Sequence, residues 1–329
     1  DAGFSVLMIE RGKAPPAFDA ARYDSRVYAI APASAKLLDT LGVWPAIASS
    51  RLSPYTRMQV WERAAELGLS FDAVDSGHAA LGWIVEQGLI LSAAWAQLGS
   101  LPTRIGVDAE ALLLPNEDED RAELRLSNGE IIRPRLVVAA DGADSPLREQ
   151  AGIETTTWQY AQRAIVAQLS MRAASPSTAY QRFLPTGPLA FLPQADGRHS
   201  IVWSADTAAS AELMALDDAV FGAALAEASQ HALGDTLEVG PRTAFPLRLL
   251  HAEAYHRPGL VLVGDAAHAI HPLAGQGANL GFADVAQLVS SLSAARDAGR
   301  DWASPRTLAA YSRARKAANL EMLALTDAL

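Results

Sequence analysis

Residues 259–284 read Gly-Leu-Val-Leu-Val-Gly-Asp-Ala-Ala-His-Ala-Ile-His-Pro-Leu-Ala-Gly-Gln-Gly-Ala-Asn-Leu-Gly-Phe-Ala-Asp. The apolar run 259–263 is short, rich in β-branched and aliphatic side chains, and closed by Gly264-Asp265, which predicts a buried parallel strand. Asp265 would then stand at the carboxyl end of that strand, where ligands bind in open α/β sheets. This stretch therefore predicts an α/β fold and places a candidate ligand-binding carboxylate in it.

The segment after Asp265 predicts a loop and then a helix. Glycines within 272–277 lack Cβ atoms, so the backbone can approach a flat ligand closely. From about Ala278, apolar residues recur at helical spacing, namely Leu280, Val285, Leu288, Val289 and Leu292. The free N–H groups and positive end of such a helix would stabilise negative charge on a ligand, for example on a phosphate or a reduced flavin ring.

The whole stretch resembles the second flavin-binding signature of FAD-dependent aromatic hydroxylases, the single-component class A flavoprotein monooxygenases. The run 271–284 looks closest to the branch that hydroxylates polyprenyl phenols in ubiquinone biosynthesis. This resemblance implies that Asp265 binds a ribityl hydroxyl of FAD. It also implies that the loop lines the isoalloxazine ring through Pro272, Gly275, Gly277, Ala278 and Asn279.

Two histidines near Asp265, His268 and His271, raise the alternative of a metal site. Their spacing fits no standard ligand set and a proline follows directly, so we predict no metal. We interpret both histidines as polar lining or as part of a buried turn.

The chain begins with a second strand of the nucleotide-binding type. Residues 1–11 read as a helix end, a glycine and a buried strand that ends at Glu10. In a dinucleotide-binding βαβ unit the second strand ends in such an acid, which accepts hydrogen bonds from the adenosine ribose. We predict FAD contacts from Glu10 and Arg11. The Gly-rich phosphate loop belongs roughly 20 residues upstream of the acid, so we expect this chain to begin after that loop.

Three further positions match the family only by resemblance. Arg26 resembles an arginine that lies near the FAD pyrophosphate and can meet the nicotinamide cofactor. Gln87 stands where the family usually has asparagine, and a flavin contact from it is one of two open alternatives. Asp141 begins a match to the family's Asp-Gly motif, and we leave open a structural role and a direct cofactor contact. Arg148 is expected to pair with the acids of this motif.

The predicted architecture is α/β (mixed α+β), with a Rossmann-like FAD-binding domain, incomplete at its N-terminus, and an inserted β-sheet substrate domain of the aromatic-hydroxylase type. Alternating apolar residues predict short strands from about residue 53 to 85 and again from about 152 to 248, where one helix is expected near 217–229. We assign the FAD-binding domain to 1–52, 86–152 and 249–329. The substrate-binding domain takes 53–85 and 153–248.

Composition restricts the function further. The 329 residues carry a net charge of −10 and no basic run, which argues against nucleic acid as a partner. The absence of cysteine excludes disulfides and a thiolate nucleophile. No apolar run reaches the roughly 18 residues that a membrane helix needs, so we predict a cytoplasmic protein. A lipid substrate would be compatible with peripheral contact to a membrane or to a biosynthetic complex.

The resemblance implies an NAD(P)H- and O2-dependent monooxygenase. FAD would be reduced by NAD(P)H and would form a hydroperoxide at its C4a carbon, which hydroxylates a hydrophobic, electron-rich phenol. Because no Ser-His-Asp set or carboxylate pair has convincing spacing, no side chain is nominated as catalytic. Two alternatives stay open: an enzyme of the same fold acting on another aromatic or an alkene, such as an epoxidase or halogenase, and a flavin-free scaffold subunit.

Overall fold

A computed structural model of the chain describes residues 2–116, 119–269 and 277–327, without the side chains of 160 and 323–327. The strands are short in the first half of the chain and long in the middle. They are β1 Met8–Glu10, β2 Val27–Ile30, β3 Ser53–Tyr55, β4 Arg57–Trp61, β5 Leu69–Asp72, β6 Gly82–Glu86, β7 Thr103–Ile105, β8 Ala109–Leu113, β9 Glu123–Leu126, β10 Ile131–Ile132, β11 Val137–Ala139, β12 Thr155–Met171, β13 Thr178–Leu184, β14 Gly187–Pro193, β15 His199–Asp206, β16 Thr236–Val239, β17 Thr243–Ala252, β18 His256–Arg257, β19 Leu260–Leu262 and β20 His268–Ala269.

The helices are α1 Pro32–Thr40, α2 Trp44–Ser50, α3 Gln87–Ala96, α4 Pro146–Gln150, α5 Thr207–Ala215, α6 Asp218–Ala228, α7 Gly277–Asp297 and α8 Pro305–Asp327. Several begin at a proline, because proline fixes a helical φ where its missing N–H costs nothing. Proline occupies the first turn of α1, α2 and α4. Asp217 accepts a hydrogen bond from the N–H of Val220 and so caps α6.

Parallel strands position the Gly-Asp turn. Strands β11 and β19 pair in parallel, with Ala139 opposite Leu262, and β18 pairs with the far side of β19. Asp141 and Asp265 therefore follow the carboxyl ends of neighbouring strands, where α/β folds bind ligands. Strands β1 and β7 form a separate parallel pair. The β11–β19 pair is covered by apolar side chains of α7 and α8, including Leu288, Leu292 and Leu308.

A large sheet dominates the middle of the chain. Its order is β20-β17-β12-β15-β14-β13-β4-β5, with β16 beside β12, and only the β13–β4 pair is parallel. One face packs on α5 and α6 through a core that includes Phe191, Ile201, Trp203 and Phe221. We call this β-rich layer the large sheet.

A small sheet, in the order β2-β6-β3, lies against the other face of the large sheet. Ala29, Tyr55 and Ile84 of the small sheet pack there with Ala179 and Leu192 of the large sheet. The opposite face of the small sheet carries a core shared with α1, α2 and α3. The layers therefore run from helices, through the small and large sheets, to α5 and α6.

Some features of the large sheet and of the helices that cover it are not predicted by the sequence. Strand β12 is 17 residues long, because its polar first half is held by pairing with β17 rather than by an apolar pattern of its own. Helix α5 was missed, since its alanines give no contrast between two faces. On α7, Leu280, Leu288 and Leu292 are buried as predicted, whereas Val285 and Val289 are exposed.

A buried histidine gives the large sheet a pH-dependent stability. Burial lowers the pKa of His199 from 6.5 to about 4, and the charge of Asp196 opposes this only in part. The unfolded histidine takes up a proton below about pH 6.5, whereas the folded one does so only near 4. Its contribution to stability is therefore complete above about 6.5 and is lost as pH falls towards 4.

We expect the free energy of unfolding to be about 2 kcal/mol lower near pH 5 than near pH 7.5 because of His199. Urea denaturation at the two pH values measures this difference. His199→Leu should remove that share of the pH dependence, while His78→Leu, at an exposed position, should leave it unchanged. An equal pH dependence in His199→Leu and the unmodified protein would contradict the assignment.

Candidate flavin site

The turn after β19 presents a carboxylate to solvent. All three residues of β19 are buried, and Gly264 adopts a positive φ of 58° that starts a short 3-10 turn through Ala266. Within this turn Asp265 is exposed while both following alanines are buried. Its carboxylate accepts no hydrogen bond from any residue in the described ranges, so both oxygens are available to hydroxyl groups of a ligand.

Helix α7 begins beside this turn. Gly277 is its first residue, and an added Cβ there would meet no atom of the described residues within 4 Å. Asn279 is buried, donates from Nδ2 to the Ala29 carbonyl at 2.8 Å, and accepts from the Ala31 N–H at 2.9 Å. The asparagine thus attaches the first turn of α7 to the end of β2. Ala278, between Gly277 and Asn279 in the chain, is half-buried.

Arg26 and Gln87 lie together at the start of β2. The Gln87 N–H donates to the Arg26 carbonyl at 3.0 Å, and the Arg26 guanidinium lies 5.9 Å from the Tyr28 ring centroid. Burial raises the pKa of Tyr28, Arg26 opposes this, and Asp265 adds to it. The backbones of Arg26 and Gln87 therefore meet at the start of β2, with the charge of Asp265 close enough to act on Tyr28, and FAD contacts from these residues stay a prediction.

A residue that the sequence reading did not select, Asp24, holds this arrangement. Its carboxylate accepts from the N–H of Arg26 at 2.9 Å and from that of Gly88 at 3.0 Å. The Gln168 amide of the large sheet also donates to the Asp24 carbonyl at 2.7 Å. The Asp-Ser-Arg order in the sequence is typical of a side-chain turn and was the available signal.

Glu10 and Arg11 lie at the end of β1, on the separate parallel pair. Glu10 pairs with Ile105 in register, and its carboxylate accepts from the Gly12 N–H at 2.6 Å. Arg11 is exposed, with its Nε 4.0 Å from Asp108. Both side chains are accessible, and their contact with FAD stays a prediction.

The Asp141 side chain accepts hydrogen bonds at the start of α4. One carboxylate oxygen accepts from the Ser145 hydroxyl and the other from the Leu147 N–H at 3.1 Å. Both oxygens therefore have local partners, which supports the structural alternative for this residue. A cofactor contact from Asp141 stays a prediction.

The expectation for Arg148 was wrong. Its buried guanidinium donates to the carbonyls of Ala266, at 2.9 Å, and Ala143, at 3.0 Å, rather than to the nearby acids. Asp144 instead pairs with Arg248 at 2.8 Å. The guanidinium bonds to these backbone carbonyls because it is buried and needs acceptors in the protein interior, whereas Asp144 is exposed. Arg148 thereby ties α4 to the Asp265 turn.

Pro272 and Gly275 lie outside the described residues, as does His271. His268 is buried, and its Nε2 lies 2.6 Å from an Asp284 oxygen. Among the described residues, no cluster of three or more His, Cys, Asp or Glu side chains is arranged to hold a metal ion. His268 is therefore a buried residue at the start of β20 that bonds to Asp284.

A small apolar cavity lies between the two sheets. It is lined by Ala29, Tyr55, Met58, Ala179, Tyr180, Gln181, Ala190 and Leu192. Gln181 is buried, and its Oε1 has no hydrogen-bond partner within the described structure. Because the Ala29 carbonyl also accepts from Asn279, this cavity adjoins the β2 segment to which the start of α7 is attached.

The residues around β2 fit FAD chemically. The exposed carboxylate of Asp265 can accept from ribityl hydroxyls, and helix α7 packs beside the same turn through Gly281. The Arg26 guanidinium can bind a pyrophosphate.

Comparison with known proteins agrees with this chemistry. A family model described as "FAD binding domain" matches residues 1–326. The chain is 39% identical over 320 residues to a 3-demethoxyubiquinol 3-hydroxylase of Escherichia coli (strain K12), covering 97% of this chain and 81% of that protein. It is also 39% identical over 327 residues to the ubiquinone hydroxylase UbiL of Rhodospirillum rubrum, covering 99% and 76%.

Solved structures share the fold. Pseudomonas aeruginosa PqsL, in complex with 2-aminobenzoylacetate, aligns with a TM-score of 0.81 at 20% identity, covering 99% of this chain and 89% of that one. The p-nitrophenol 4-monooxygenase PnpA of Pseudomonas putida DLL-E4 aligns with a TM-score of 0.75 at 21% identity, covering 99% and 82%. The predicted α/β fold, family and FAD cofactor are thereby confirmed. The chain belongs to the FAD binding domain family, and within it to the flavin-dependent hydroxylases that its relatives represent.

Proposed function

We propose that this enzyme hydroxylates the ring of a polyprenyl phenol in ubiquinone biosynthesis, with NAD(P)H and O2 as co-substrates. The observation that carries the proposal is the 39% identity, over nearly the whole chain, to relatives named as ubiquinol and ubiquinone hydroxylases. A small apolar cavity between the two sheets, about 10 Å³ in volume and adjoining β2, marks where we propose that the ring enters. Its walls of Ala29, Met58 and Leu192 are apolar, and they would have to move apart to admit an aromatic ring. The named functions of the Escherichia coli and Rhodospirillum rubrum relatives support a quinone-related substrate.

When bound, FAD supplies the redox chemistry, taking electrons from the nicotinamide and activating O2. The chain's own residues bind and orient the ring and exclude water. The Gln181 Oε1 can accept a hydrogen bond from a phenolic hydroxyl, since it is buried without a partner in the described part of the chain. Burial raises the pKa of Tyr55, so its hydroxyl stays protonated beside the ring.

We propose FAD contacts from the residues predicted by the sequence: Glu10, Arg11, Arg26, Gln87, Asp141, Asp265, Pro272, Gly275, Gly277, Ala278 and Asn279. The grouping of Arg26, Gln87, Asp265 and Asn279 around β2 supports this set. We also propose the two-domain division of the sequence reading. Pairing of β4 with β13 supports placing 53–85 with the substrate domain, although β3 and β6 pair with β2.

Turnover of defined substrates tests the proposed reaction. The FAD-loaded full-length protein is incubated with NADH or NADPH and with short-chain prenyl phenols, and products are identified by mass spectrometry. We expect one oxygen atom from O2 to enter the ring. Turnover of other aromatics or alkenes, with none of prenyl phenols, would favour the alternative flavin enzyme. The absence of bound FAD in the visible spectrum would favour the scaffold subunit.

Gln181→Leu tests the cavity. The substitution removes the acceptor and adds apolar surface, so we expect kcat/KM for the phenol to fall by about tenfold. FAD affinity should not change, because Gln181 is assigned to the ring and not to the cofactor. Gln97→Leu, at an exposed position after α3, serves as the control. Unchanged kcat/KM in Gln181→Leu would place the ring elsewhere.

No helix in the described part of the chain is long and apolar enough to span a membrane. We propose that a cytoplasmic enzyme reaches its lipid substrate by peripheral contact with a membrane surface. Strand β5 and its flanks expose Leu67, Leu69, Phe71 and Val74, each at least half accessible, at the outer edge of the large sheet. Sedimentation with phospholipid vesicles should fall for Leu69→Ser/Phe71→Ser. Equal sedimentation would point instead to a biosynthetic complex as the partner.

A further inference from the structure

Asp284 is a fully buried carboxylate that the proposed function does not use. It lies two turns into α7 and is 0% exposed. Its Oδ2 accepts from the Gly264 N–H at 2.9 Å and lies 2.6 Å from His268 Nε2. Its Oδ1 accepts from Arg315 Nε at 2.6 Å and from Asn319 Nδ2 at 3.3 Å. Each oxygen of this carboxylate therefore has two partners.

These partners come from the segments on both sides of Asp265 and from α8. Gly264 directly precedes Asp265, and His268 begins β20 three residues after it. Arg315 and Asn319 lie four residues apart on α8 and bond to each other at 2.7 Å. One carboxylate thus joins α7, α8 and the turn that carries Asp265.

The network continues into the large sheet. Asn319 Nδ2 also donates to the Tyr255 hydroxyl at 3.2 Å, and that hydroxyl lies 3.2 Å from His251 Nε2. His251 stands opposite His268 in the β17–β20 register. The Asp265 turn is therefore held between two helices and the edge of the large sheet.

Backbone packing reinforces the same contact. Gly281 lies one helical turn before Asp284, and a Cβ added to it would lie 3.5 Å from the Gly264 Cα. Two glycines thus let α7 approach the turn closely enough for Asp284 to reach the Gly264 N–H. Burial by itself would raise the pKa of Asp284, but the hydrogen bond and charge of His268 and the hydrogen bond of Arg315 hold it below its ordinary value. The carboxylate is therefore ionised and accepts from all its partners.

We propose that Asp284 is a positioning residue of the flavin site, which holds the Asp265 carboxylate in place through the Gly264 N–H. This inference rests on the proposed contact between Asp265 and FAD. Asp284 touches no FAD atom in this scheme. It fixes the conformation of the turn before FAD binds, so that Asp265 loses less conformational entropy on binding.

A double-mutant cycle in the full-length protein tests the inference. The dissociation constant of FAD is measured by flavin fluorescence for the unmodified protein, Asp265→Ala, Asp284→Asn and the double variant. We expect each single change to weaken binding by about tenfold or more. In the Asp265→Ala background, Asp284→Asn should have little further effect, because its target is gone.

The outcomes separate the two proposals. If Asp265→Ala binds FAD normally, the flavin-site assignment fails, and this inference fails with it. If Asp265→Ala weakens binding and Asp284→Asn does not, only the inference about Asp284 fails. Additive losses would also overturn it, because general destabilisation of the fold would weaken binding equally in both backgrounds.

Two controls keep the cycle interpretable. Asp301→Asn makes the same chemical change at an accessible carboxylate that pairs with Arg135, and it should leave FAD binding unchanged. If Asp284→Asn does not fold, Arg315→Lys takes its place. Lysine keeps the positive charge but cannot make both Arg315 contacts, so the same non-additivity with Asp265→Ala is expected, and additivity would overturn the inference.

Discussion

Asp265→Ala should weaken FAD binding by about 10- to 100-fold. The Asp265 carboxylate is exposed at the carboxyl end of β19 and accepts no hydrogen bond from the rest of the described chain. A charged acceptor that is free in the protein can direct its full hydrogen-bonding capacity to a ligand hydroxyl. Titration of the apoprotein with FAD, followed by fluorescence, gives the dissociation constant.

A second measurement on the same variant needs no cofactor. Asp265 contributes to the raised pKa of Tyr28, so removing its charge should lower the pKa of that tyrosine in the apoprotein. Ultraviolet titration against a Tyr28→Phe reference measures the change. Asp235→Ala, at an exposed carboxylate that pairs with Arg172 at 3.2 Å, is the matched control. Normal FAD affinity together with a shifted Tyr28 pKa would show that Asp265 lies at β2 without contacting the cofactor.

Asn279→Ala should lower the free energy of unfolding by about 2–4 kcal/mol and weaken FAD binding as well. The substitution leaves the Ala29 carbonyl and the Ala31 N–H without their bonds to Asn279. Buried polar groups that lose their partners cost more than the net value of the bonds. The first turn of α7 would also separate from β2, so the helix N-terminus would lose its fixed position at the flavin site.

Urea denaturation of the apoprotein and FAD titration measure the two effects. Asn128→Ala is the control, since Asn128 is exposed in a turn and its side chain accepts only a local hydrogen bond from Glu130. Its stability should change by less than about 0.5 kcal/mol. If Asn279→Ala were as stable as the control, contacts of α7 other than the Asn279 hydrogen bonds, such as those of Gly281 and Asp284, would hold it in place.

The motif around Asp265 shows which structural features a short stretch of sequence can predict. An apolar run, a Gly-Asp turn and a helical pattern lie within a few residues of each other, and each has its own local signal. The strand, the exposed carboxylate and the helix start appear where the sequence predicts them. Arg26 and Gln87 could be selected only by resemblance, because no local sequence pattern predicts that they meet at the start of β2.

The hydrogen-bond network of Asp284 could not be predicted from the sequence, for a different reason. Its partners Gly264, His268, Arg315 and Asn319 are separated by up to 55 residues, and each has an ordinary role in its own segment. Arg148 shows the same limit, since its carbonyl partner in Ala266 lies 118 residues away. Burial decides these pairings, because a buried charge must find acceptors or donors among whatever the fold brings near.

By itself the sequence determined the α/β class and the carboxylate at the strand end, since each depends on residues that are neighbours along the chain, and its resemblance to a known family signature implied the flavin. Only the tertiary structure decided which side chains hold that carboxylate, how α7 attaches to β2, and where the apolar cavity lies. Those features depend on contacts between distant segments, and such contacts form only when the two sheets and the helices pack together.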